Sequence, residues 1–444
     1  MYNGVITGSD YQNQRMETMS ATEQSLHPVD VYTSFFDRPQ VEIEEIPLAG
    51  GIAIGTEQVT SPVTGTGGVY GAWGQSYDNR ALQELVEQRL GEAMSEDDLL
   101  NLSELGFNHR HHIPLLSQEE HIELEVQVGA HFLRKAMQAL GWDPAEVDAV
   151  LIGVSAPVIE DYAARISALA GIPEKALKVI IHKACDSSTA ALHMALNPRI
   201  SEKLGLVRNI ARELLGKKVL VGGIEGLSRY MQGTRDKNAL QLFGNGAGVI
   251  GLIPGKSMKF LVGRDHEVFD EEGVLAVRMT YPHTGQRSAS GSLLEVHHEG
   301  ENHIRVSGMM HEPEDDSTVV MAGPMGMVKL FVRTGVEVVR EVFQAYQERL
   351  QALNMPDKSI AVAIVHHANY KINKLKEKHL QREGIHIPMP WLLSDFGNVS
   401  AASNMIAFLR GLKELKPGDH VLIDGFGAGT YYDVLAVEMG GSST

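Results

Sequence analysis

The amino-acid sequence predicts an α/β protein whose parallel sheets are covered on both faces. From about Val63 onward, short apolar runs alternate with amphipathic segments, and this βαβα order favours an α/β over an α+β fold. The runs are apolar along their whole length, which is typical of strands buried on both faces. The chain of 444 residues suits two to three domains or one large layered unit, and its 45 glycines can supply tight turns.

The individual elements follow from hydrophobic periodicity. Continuous apolar runs predict strands at Ala149–Val154, Lys178–His182, Lys218–Gly222, Val249–Ile253, Ser359–Val365 and His420–Asp424. Amphipathic segments predict helices that include Leu82–Leu90, Glu123–Leu140, Thr189–Leu196, Lys329–Leu350 and Val399–Leu412. The mixed-charge stretch Glu202–Lys217 is interpreted as a further helix with a solvated face.

A faint internal repeat suggests two related halves. The apolar run Val147–Val154 resembles Ile360–Val365, and each comes before a turn rich in small residues, at Ala184–Ala191 and at Gly397–Ser403. We therefore predict an N-terminal extension of unknown role over residues 1–58, a first half over 59–255 and a second half over 256–444.

Charge and cysteine content exclude several classes of protein. The 39 basic and 56 acidic residues give a net charge of −17, which disfavours a nucleic-acid or anionic-membrane surface. No window reaches the ~18 uninterrupted apolar residues of a membrane span, and the polar start of the chain has no signal-peptide core. The one cysteine, Cys185, excludes an intrachain disulfide and a cysteine-based zinc cluster. We expect a cytoplasmic protein.

Cys185 is a candidate nucleophile because it lies between a predicted strand and a predicted helix. The positive end of a helix favours a thiolate, so this position predicts a lowered pKa for the thiol. The charge of the next residue, Asp186, would oppose thiolate formation. The alternative interpretation is an inert buried cysteine.

His366 and Asn398 also occupy strand ends or turns that precede helices. His366 directly follows an apolar strand, where α/β folds place ligands, and Asn398 opens a segment of small residues. Taken singly, each is more easily read as structural. Together, Cys, His and Asn can run thioester chemistry, with the thiolate attacking and the other two donating hydrogen bonds to an enolate or oxyanion.

Three other motifs carry weaker signals. The glycine-rich segments Gly65–Gly68 and Gly425–Gly429 lack the spacing of a dinucleotide-binding loop. The run His109–His112 has no carboxylate at metal-ligand spacing, so we interpret it as a loop with solvated or capping histidines.

The motifs together resemble the thiolase superfamily of condensing enzymes, and within it the β-ketoacyl-ACP synthase III (3-oxoacyl-ACP synthase III) branch. The resemblance extends from about Gly65 to Met439. The matching motifs are the nucleophile turn Ala184–Ser188, the strand entry Leu242–Gly248, the segment His366–Ile372, the segment Gly397–Ser403 and the terminal glycine loop Gly425–Gly429.

This resemblance implies a five-layered αβαβα fold made of two duplicated halves, acting as a homodimer. It implies that Cys185 takes an acyl group from acyl-CoA or acyl carrier protein, and that His366 and Asn398 stabilise the enolate of a malonyl-type thioester. The oxyanion would be held by the backbone N–H of Cys185 and the loop near Gly427. No metal or redox cofactor is implied, and the setting would be fatty acid or polyketide biosynthesis.

Two departures from the family pattern concern the acyl donor and the base. Leu100 and Glu104 stand where the family has a tryptophan and an arginine that hold the CoA nucleotide, whereas Lys237 and Lys371 keep cations for a thioester carrier. Glu160 lies in a stretch that crosses the dimer interface in the family, where it could act as a base in the partner's site.

Several functions therefore remain open. The leading prediction is a Claisen condensation with a malonyl-type extender, and the alternatives on the same fold are a non-decarboxylative condensation of two acyl-CoA molecules with Glu160 as base, or a simple acyltransferase. Glu160 could equally pair with Arg165 or with solvent. A non-catalytic scaffold subunit of the same fold is the alternative from another class.

Overall fold

The computed structural model describes residues 46–47, 51–155, 159–268, 277–281, 283–286, 291–321, 328–428 and 431–440. Its strands are β1 Ile46–Pro47, β2 Ala53–Ser61, β3 Thr66–Trp73, β4 Gln75–Asp78, β5 His109–His112, β6 Ala149–Gly153, β7 Leu177–His182, β8 Val219–Glu225, β9 Gly246–Leu252, β10 Met258–Glu267, β11 Val277–Met279, β12 Leu294–Gly300, β13 His303–Gly308, β14 Val319–Met321, β15 Ile360–Val365, β16 His420–Gly427 and β17 Tyr431–Met439.

The α-helices of the described residues are α1 Asn79–Leu90, α2 Gln118–Leu140, α3 Tyr162–Leu169, α4 Ser187–Leu196, α5 Pro198–Lys203, α6 Ile210–Leu214, α7 Ser228–Gln232, α8 Lys237–Leu242, α9 Gly335–Ala352, α10 Tyr370–Arg382 and α11 Ser403–Gly411. A π-helical turn, Lys329–Thr334, leads into α9, and a 3₁₀ turn, Ser400–Ala402, leads into α11. None of these helices is long and apolar enough to cross a membrane.

Two sheets form the framework of the chain. One has nine strands in the order β1-β2-β3-β9-β8-β6-β7-β13-β12, and the other has four in the order β10-β17-β16-β15. Strands β6, β7 and β8 are parallel neighbours, as are β15 and β16. Helices α4 and α11 lie buried between the sheets, α2 and α3 cover the nine-stranded sheet, and α9 packs on the outer face of the other. This is the predicted five-layered αβαβα arrangement.

Helix α4 illustrates why the sequence suits the central layer. All of its residues are buried, and small side chains let it pass between two sheets. It contacts β6 and β8 on one side and β16 and β17 on the other. A side chain at Gly153 in β6 would collide with the backbone of Ser187 at the start of α4, so a glycine is needed for this close approach.

All six predicted strands form, with boundaries within three residues of those predicted, and five of the predicted helices are present. The mixed-charge helix predicted over Glu202–Lys217 is wrong, because the segment contains the end of α5 and the separate short helix α6. Gly205 adopts a left-handed conformation (φ +67°) between them, which ends the first helix.

The loop predicted at His109–His112 is also wrong, since these residues form β5 and pair with β4. Arg110 is fully buried and donates to the Gln241 carbonyl at 2.7 Å, while His112 Nδ1 lies 3.0 Å from Ser228 Oγ. Within the described residues, no group of three His, Cys, Asp or Glu side chains could hold a metal ion.

Two features bear on the division into halves. The boundary predicted at residue 58 falls within β2, which pairs with β3, so the sheet begins before that boundary; residues 1–45 and 48–50 of the extension lie outside the described residues. The hairpin β12–β13 belongs to the second half in sequence, yet β13 pairs in parallel with β7 of the first half. The division into three segments stays a prediction.

Candidate active site

The turn that carries Cys185 joins β7 to α4, as the sequence predicts. The residue before it, Ala184, has φ +50°, a left-handed conformation that is costly for any residue except glycine. Its backbone N–H donates to the Tyr281 hydroxyl at 3.1 Å. The Ser187 hydroxyl donates to the Ala184 carbonyl at 2.6 Å. The strained turn is thus held by hydrogen bonds on both sides, and it fixes the direction of the Cys185 side chain.

The thiol of Cys185 is buried and has one polar neighbour from the other half of the chain. The hydroxyl of Ser400 donates to Cys185 Sγ at 3.0 Å. Burial raises the pKa of the thiol to about 12; the Ser400 hydrogen bond opposes this shift, and the carboxyl of Glu225 adds to it. The predicted lowering of this pKa is therefore wrong, since desolvation of the thiolate outweighs the start of the helix.

His366 lies directly after β15, buried at the end of the strand. Its Nδ1 is 2.5 Å from Ser403 Oγ, and its backbone N–H donates to the Asp424 carbonyl at 2.9 Å. The ring of Phe426 packs edge-on against the imidazole with centroids 5.0 Å apart. Burial lowers the pKa of His366 to about 3, with smaller contributions from His367 and Lys376. His366 is consequently a neutral imidazole that can form one further hydrogen bond through Nε2.

Asn398 connects the histidine loop to the hydroxyl beside the thiol. Its side-chain Nδ2 donates to the carbonyl of Ala368, two residues after His366, at 3.4 Å. Its Oδ1 accepts the backbone N–H of Ser400 at 2.9 Å. Hydrogen bonds therefore connect the Cys185 thiol through Ser400 to Asn398, and Asn398 to the backbone of the loop that carries His366.

Gly427 lies against the backbone of the nucleophile turn. A Cβ at this position would come within 2.6 Å of the Lys183 carbonyl oxygen, 2.9 Å of the Asp186 nitrogen and 3.0 Å of the Cys185 nitrogen. Only glycine allows this contact. The predicted oxyanion loop thus reaches the Cys185 N–H at Gly427, whereas Gly429 of the same motif lies outside the described residues.

A narrow apolar cavity opens beside the thiol. Its volume is about 10 Å³, close to what one water molecule requires. The lining residues are Ser155, Ala184, Cys185, Leu227, Tyr230, Met231, Phe243, Val277, Met279, Val319, Ser400 and Ala428. A bound acyl group must therefore displace side chains of this wall.

The two lysines predicted to contact a thioester carrier are both paired with carboxylates. Lys237 Nζ lies 2.8 Å from Asp98 and 3.6 Å from Glu92, and the Lys237 hydrogen bond lowers the pKa of Asp98 to about 2. Lys371 forms an ion pair with Glu104, the residue that replaces the family's arginine. Neither lysine is an isolated cation, so a phosphate would have to compete with these carboxylates.

Glu160 lies at the surface of the chain. Its side chain is 70% exposed, and its carboxylate is 3.8 Å from the guanidinium of Arg305 in β13. The pairing with Arg165 suggested by the sequence is wrong, because Arg165 pairs with Asp161 at 3.0 Å. Residues 156–158 of the same stretch lie outside the described residues.

Sequence reasoning missed two groups beside the thiol. Ser400 belongs to a quoted motif, yet nothing in the motif shows that its hydroxyl meets Cys185. Glu225 is buried at the end of β8, where it accepts the backbone N–H of Ser155 at 2.6 Å and of Ala401 at 3.2 Å. Burial raises the pKa of Glu225 to about 8. The sequence did contain one signal for Glu225, an acidic residue at the end of an apolar strand.

Comparison with known proteins agrees with this architecture. Residues 350–439 match the family model described as 3-oxoacyl-[acyl-carrier-protein (ACP)] synthase III C terminal. The β-ketoacyl-[acyl-carrier-protein] synthase III of Roseiflexus castenholzii is 26% identical over 306 residues, covering 67% of this chain and 78% of that protein. The enzyme of the same name from Prochlorococcus marinus is 25% identical over 371 residues, covering 81% and 93%.

A solved structure shows the same fold. The 3-oxoacyl-[acyl-carrier-protein] synthase III of Aquifex aeolicus superposes with a TM-score of 0.56 at 21% identity, covering 86% of this chain and all of that one. At this identity the likeness establishes the fold alone. With the sequence relatives, it confirms the predicted resemblance: this chain is a thiolase-fold protein similar to the β-ketoacyl-ACP synthase III branch of condensing enzymes.

Proposed function

We propose that this chain is an acyltransferase that condenses thioesters, loading an acyl group onto Cys185 and joining it to a malonyl-type thioester. The observation that carries the proposal is the buried cluster in which Ser400 and Asn398 connect the thiol to the His366 loop. The sequence relatives named above are β-ketoacyl-ACP synthases III, which points to acyl-CoA or acyl carrier protein as the acyl source. A homodimer is part of the proposal.

In the loading step, the sulfur of Cys185 attacks the thioester carbonyl and the carrier thiol leaves. The thiol proton ends on the departing carrier sulfur, so one thioester replaces another. Because the pKa of Cys185 is about 12, the resting thiol is protonated. The proposed rate enhancement therefore comes from stabilising the tetrahedral oxyanion, a role for which we propose the Cys185 N–H; the closeness of Gly427 to the Cys185 nitrogen supports this role.

In the condensation step, His366 and Asn398 act as uncharged hydrogen-bond donors. Nδ1 of His366 lies 2.5 Å from the Ser403 hydroxyl. In the proposed tautomer, this hydroxyl donates to Nδ1 and the ring proton resides on Nε2, where it is available to a thioester carbonyl oxygen. The second N–H of the Asn398 amide can serve the same oxygen. Loss of CO₂ from the malonyl group leaves an enolate on that oxygen. The enolate carbon attacks the acyl group and expels the Cys185 sulfur as a thiolate, which takes up a proton from water to restore the resting thiol.

The decarboxylative route is favoured over one that uses Glu160 as base. A base must reach the α-carbon of a thioester held beside Cys185. Within the subunit, Glu160 is exposed and faces Arg305 rather than the thiol. A catalytic Glu160 would have to come from the partner subunit of the proposed dimer.

The test is intact-protein mass spectrometry after mixing the chain with a panel of acyl-CoA and acyl carrier protein thioesters, with and without malonyl-CoA. We expect an acyl mass on the wild-type chain that malonyl-CoA removes with release of CO₂. The Cys185→Ala variant should acquire no acyl mass. The Asn398→Ala variant should load an acyl group but fail to discharge it.

The other outcomes distinguish the alternatives. Discharge by a second acyl-CoA without CO₂ would support the Glu160 route, and transfer of the acyl group to another nucleophile would support a simple acyltransferase. A chain that loads from none of the thioesters would be a scaffold. Unchanged loading of Cys185→Ala would refute the assignment of the nucleophile.

A further inference from the structure

A buried cluster of charged side chains lies behind the nucleophile turn. Lys183 and Asp186 flank Cys185, and their side chains meet Asp433 of β17. Lys183 Nζ forms an ion pair with Asp433 and lies 3.3 Å from Asp186. All three side chains are at most 4% exposed. The proposed condensation uses none of these groups, although two of them adjoin the nucleophile.

The hydrogen bonds of His193 in α4 determine its charge. Asn197 uses its Oδ1 to accept the Arg199 N–H, so its Nδ2 faces His193 Nε2, 2.9 Å away, and donates to it. Nε2 therefore carries no proton, and the ring proton lies on Nδ1, which donates to Asp433 at 2.5 Å. His193 is a neutral donor, which leaves Lys183 as the only cation of this cluster among the described residues.

One cation therefore faces two carboxyl groups, and among the residues that the structure describes only the carboxyl of Asp433 accepts hydrogen bonds. Asp433 receives the Lys183 ammonium and the His193 N–H. Within the described part of the chain, neither oxygen of Asp186 has a hydrogen-bond partner, and Lys183 Nζ lies 3.3 Å from one of them. The two carboxyl groups compete for this one ammonium, which lies closer to Asp433. A buried carboxylate without donors would cost far more than a protonated one.

We propose that Asp433 carries the negative charge of this cluster and that Asp186 is protonated, so that the Lys183–Asp433 ion pair anchors the nucleophile turn without a charge beside the Cys185 thiol. Asp186 and Asp433 are then positioning residues, since they act on the thiol through the turn. The proposal rests on the proposed function only in taking Cys185 as the nucleophile.

The surroundings of Asp186 support this distribution of protons. Burial and the neighbouring charge of Asp433 raise the pKa of Asp186 well above its ordinary value. Although burial opposes it, Lys183 holds the pKa of Asp433 below its usual range. The other titratable side chains near the cluster are His193 from α4, Asp265 from β10, and Tyr431 and Tyr432 from β17; Lys183 Nζ lies 5.6 Å from the centre of the Tyr431 ring.

The test compares Asp186→Asn with Asp433→Asn by the rate at which iodoacetamide alkylates Cys185, from about pH 6 to about pH 10. Alkylation needs the thiol but no condensation, so its outcome is independent of the proposed function. Asp186→Asn replaces a neutral acid by a neutral amide, and the rate should stay within about threefold of wild type at every pH. In Asp433→Asn, Lys183 can pair only with Asp186, which ionises beside the thiol. The rate below the thiol pKa should then fall at least about tenfold.

Asp265→Asn is the matched control, because Asp265 lines the same small cavity as Lys183 and Asp433 but pairs with the half-exposed Lys203. It should alkylate like the wild type. Acceleration of Asp186→Asn by about tenfold or more would show that Asp186 is ionised and would overturn the proposal, as would an unchanged Asp433→Asn.

A measurement on the wild-type chain covers the case in which a variant does not fold. With aspartate carrying ¹³C in its side-chain carboxyl, the infrared spectrum at neutral pH should contain the carbonyl band of a protonated acid. Loss of intensity in Asp186→Asn would assign that band. Absence of any such band from the wild type would overturn the proposal without any variant.

Discussion

Replacing Ser400 tests how this site controls its nucleophile. The Ser400 hydroxyl lies 3.0 Å from Cys185 Sγ, and both groups are buried. A donor at this position stabilises the thiolate more than the thiol, so it lowers the pKa that burial has raised to about 12. Ser400→Ala removes the donor and should raise the pKa of Cys185 further.

The size of the effect follows from the charge of the acceptor. A hydrogen bond to a charged group contributes roughly 1.5–3 kcal/mol, and about 1.4 kcal/mol corresponds to one pKa unit. The pKa of Cys185 should therefore rise by about 1–2 units in Ser400→Ala. Below that pKa, the thiolate fraction and the rate of alkylation by iodoacetamide should fall about 10- to 100-fold.

The backbone of Ser400 provides the control. Its φ of +44° is strained for serine or alanine and relaxed for glycine. Ser400→Gly should show the same fall in the alkylation rate as Ser400→Ala. Its free energy of unfolding should be about 1 kcal/mol higher than that of Ser400→Ala. If both variants alkylate at the wild-type rate, the hydroxyl does not stabilise the thiolate. If only the alanine variant slows, strain rather than hydrogen bonding is the cause.

Three further predictions concern the surroundings of the thiol. The pKa of Glu225 is about 8 in the folded chain, against an ordinary value of 4.5. Between these two pH values the folded state retains a proton that the unfolded state releases, so the free energy of unfolding should fall as the pH rises from about 4.5 to about 8. Urea unfolding should show that Glu225→Gln loses this pH dependence of stability, which is worth roughly 5 kcal/mol, and an unchanged dependence would contradict the prediction. Gly427→Ala should reduce acyl loading by about 100-fold or more, because its Cβ would displace the Cys185 N–H. The control Gly300→Ala, where a Cβ meets nothing nearer than 4.0 Å, should load normally, and normal loading by both would remove Gly427 from the oxyanion site. Glu104→Gln frees Lys371 from its ion pair and should lower KM for the acyl thioester by about 2- to 5-fold at low ionic strength only. The control Glu119→Gln, at an exposed position, should leave KM unchanged. A lower KM that persists in high salt would exclude an electrostatic cause.

The sequence predicts those parts of the fold whose environment leaves a local pattern. Strands such as β6 and β7 are buried on both faces, so they appear as unbroken apolar runs. The β12–β13 hairpin escapes prediction because its outer strand is half exposed and carries alternating charged residues. Its parallel pairing with β7 joins segments more than a hundred residues apart, which no local pattern encodes.

The same reasoning separates what could be predicted of the site. The turn positions of Cys185, His366 and Asn398 follow from apolar strands that end at small or polar residues. The pKa of the thiol could not be predicted in this way. It depends on burial by the second half of the chain and on the hydroxyl of Ser400, which lies 215 residues away in sequence. Arg110 likewise resembles a surface residue until its carbonyl partner at Gln241 is known.

The protonation states around Cys185 share one property, which bears on how the site can work. At neutral pH the thiol is protonated, His366 is an uncharged imidazole and Glu225 retains its proton. The thioester carbonyl that these groups meet is also uncharged. In the proposed steps, charge reaches its oxygen only when an oxyanion or enolate forms, and neutral donors that are already oriented stabilise that charge without reorganising. In the proposed mechanism, catalysis therefore depends on the placement of these donors rather than on a preformed thiolate.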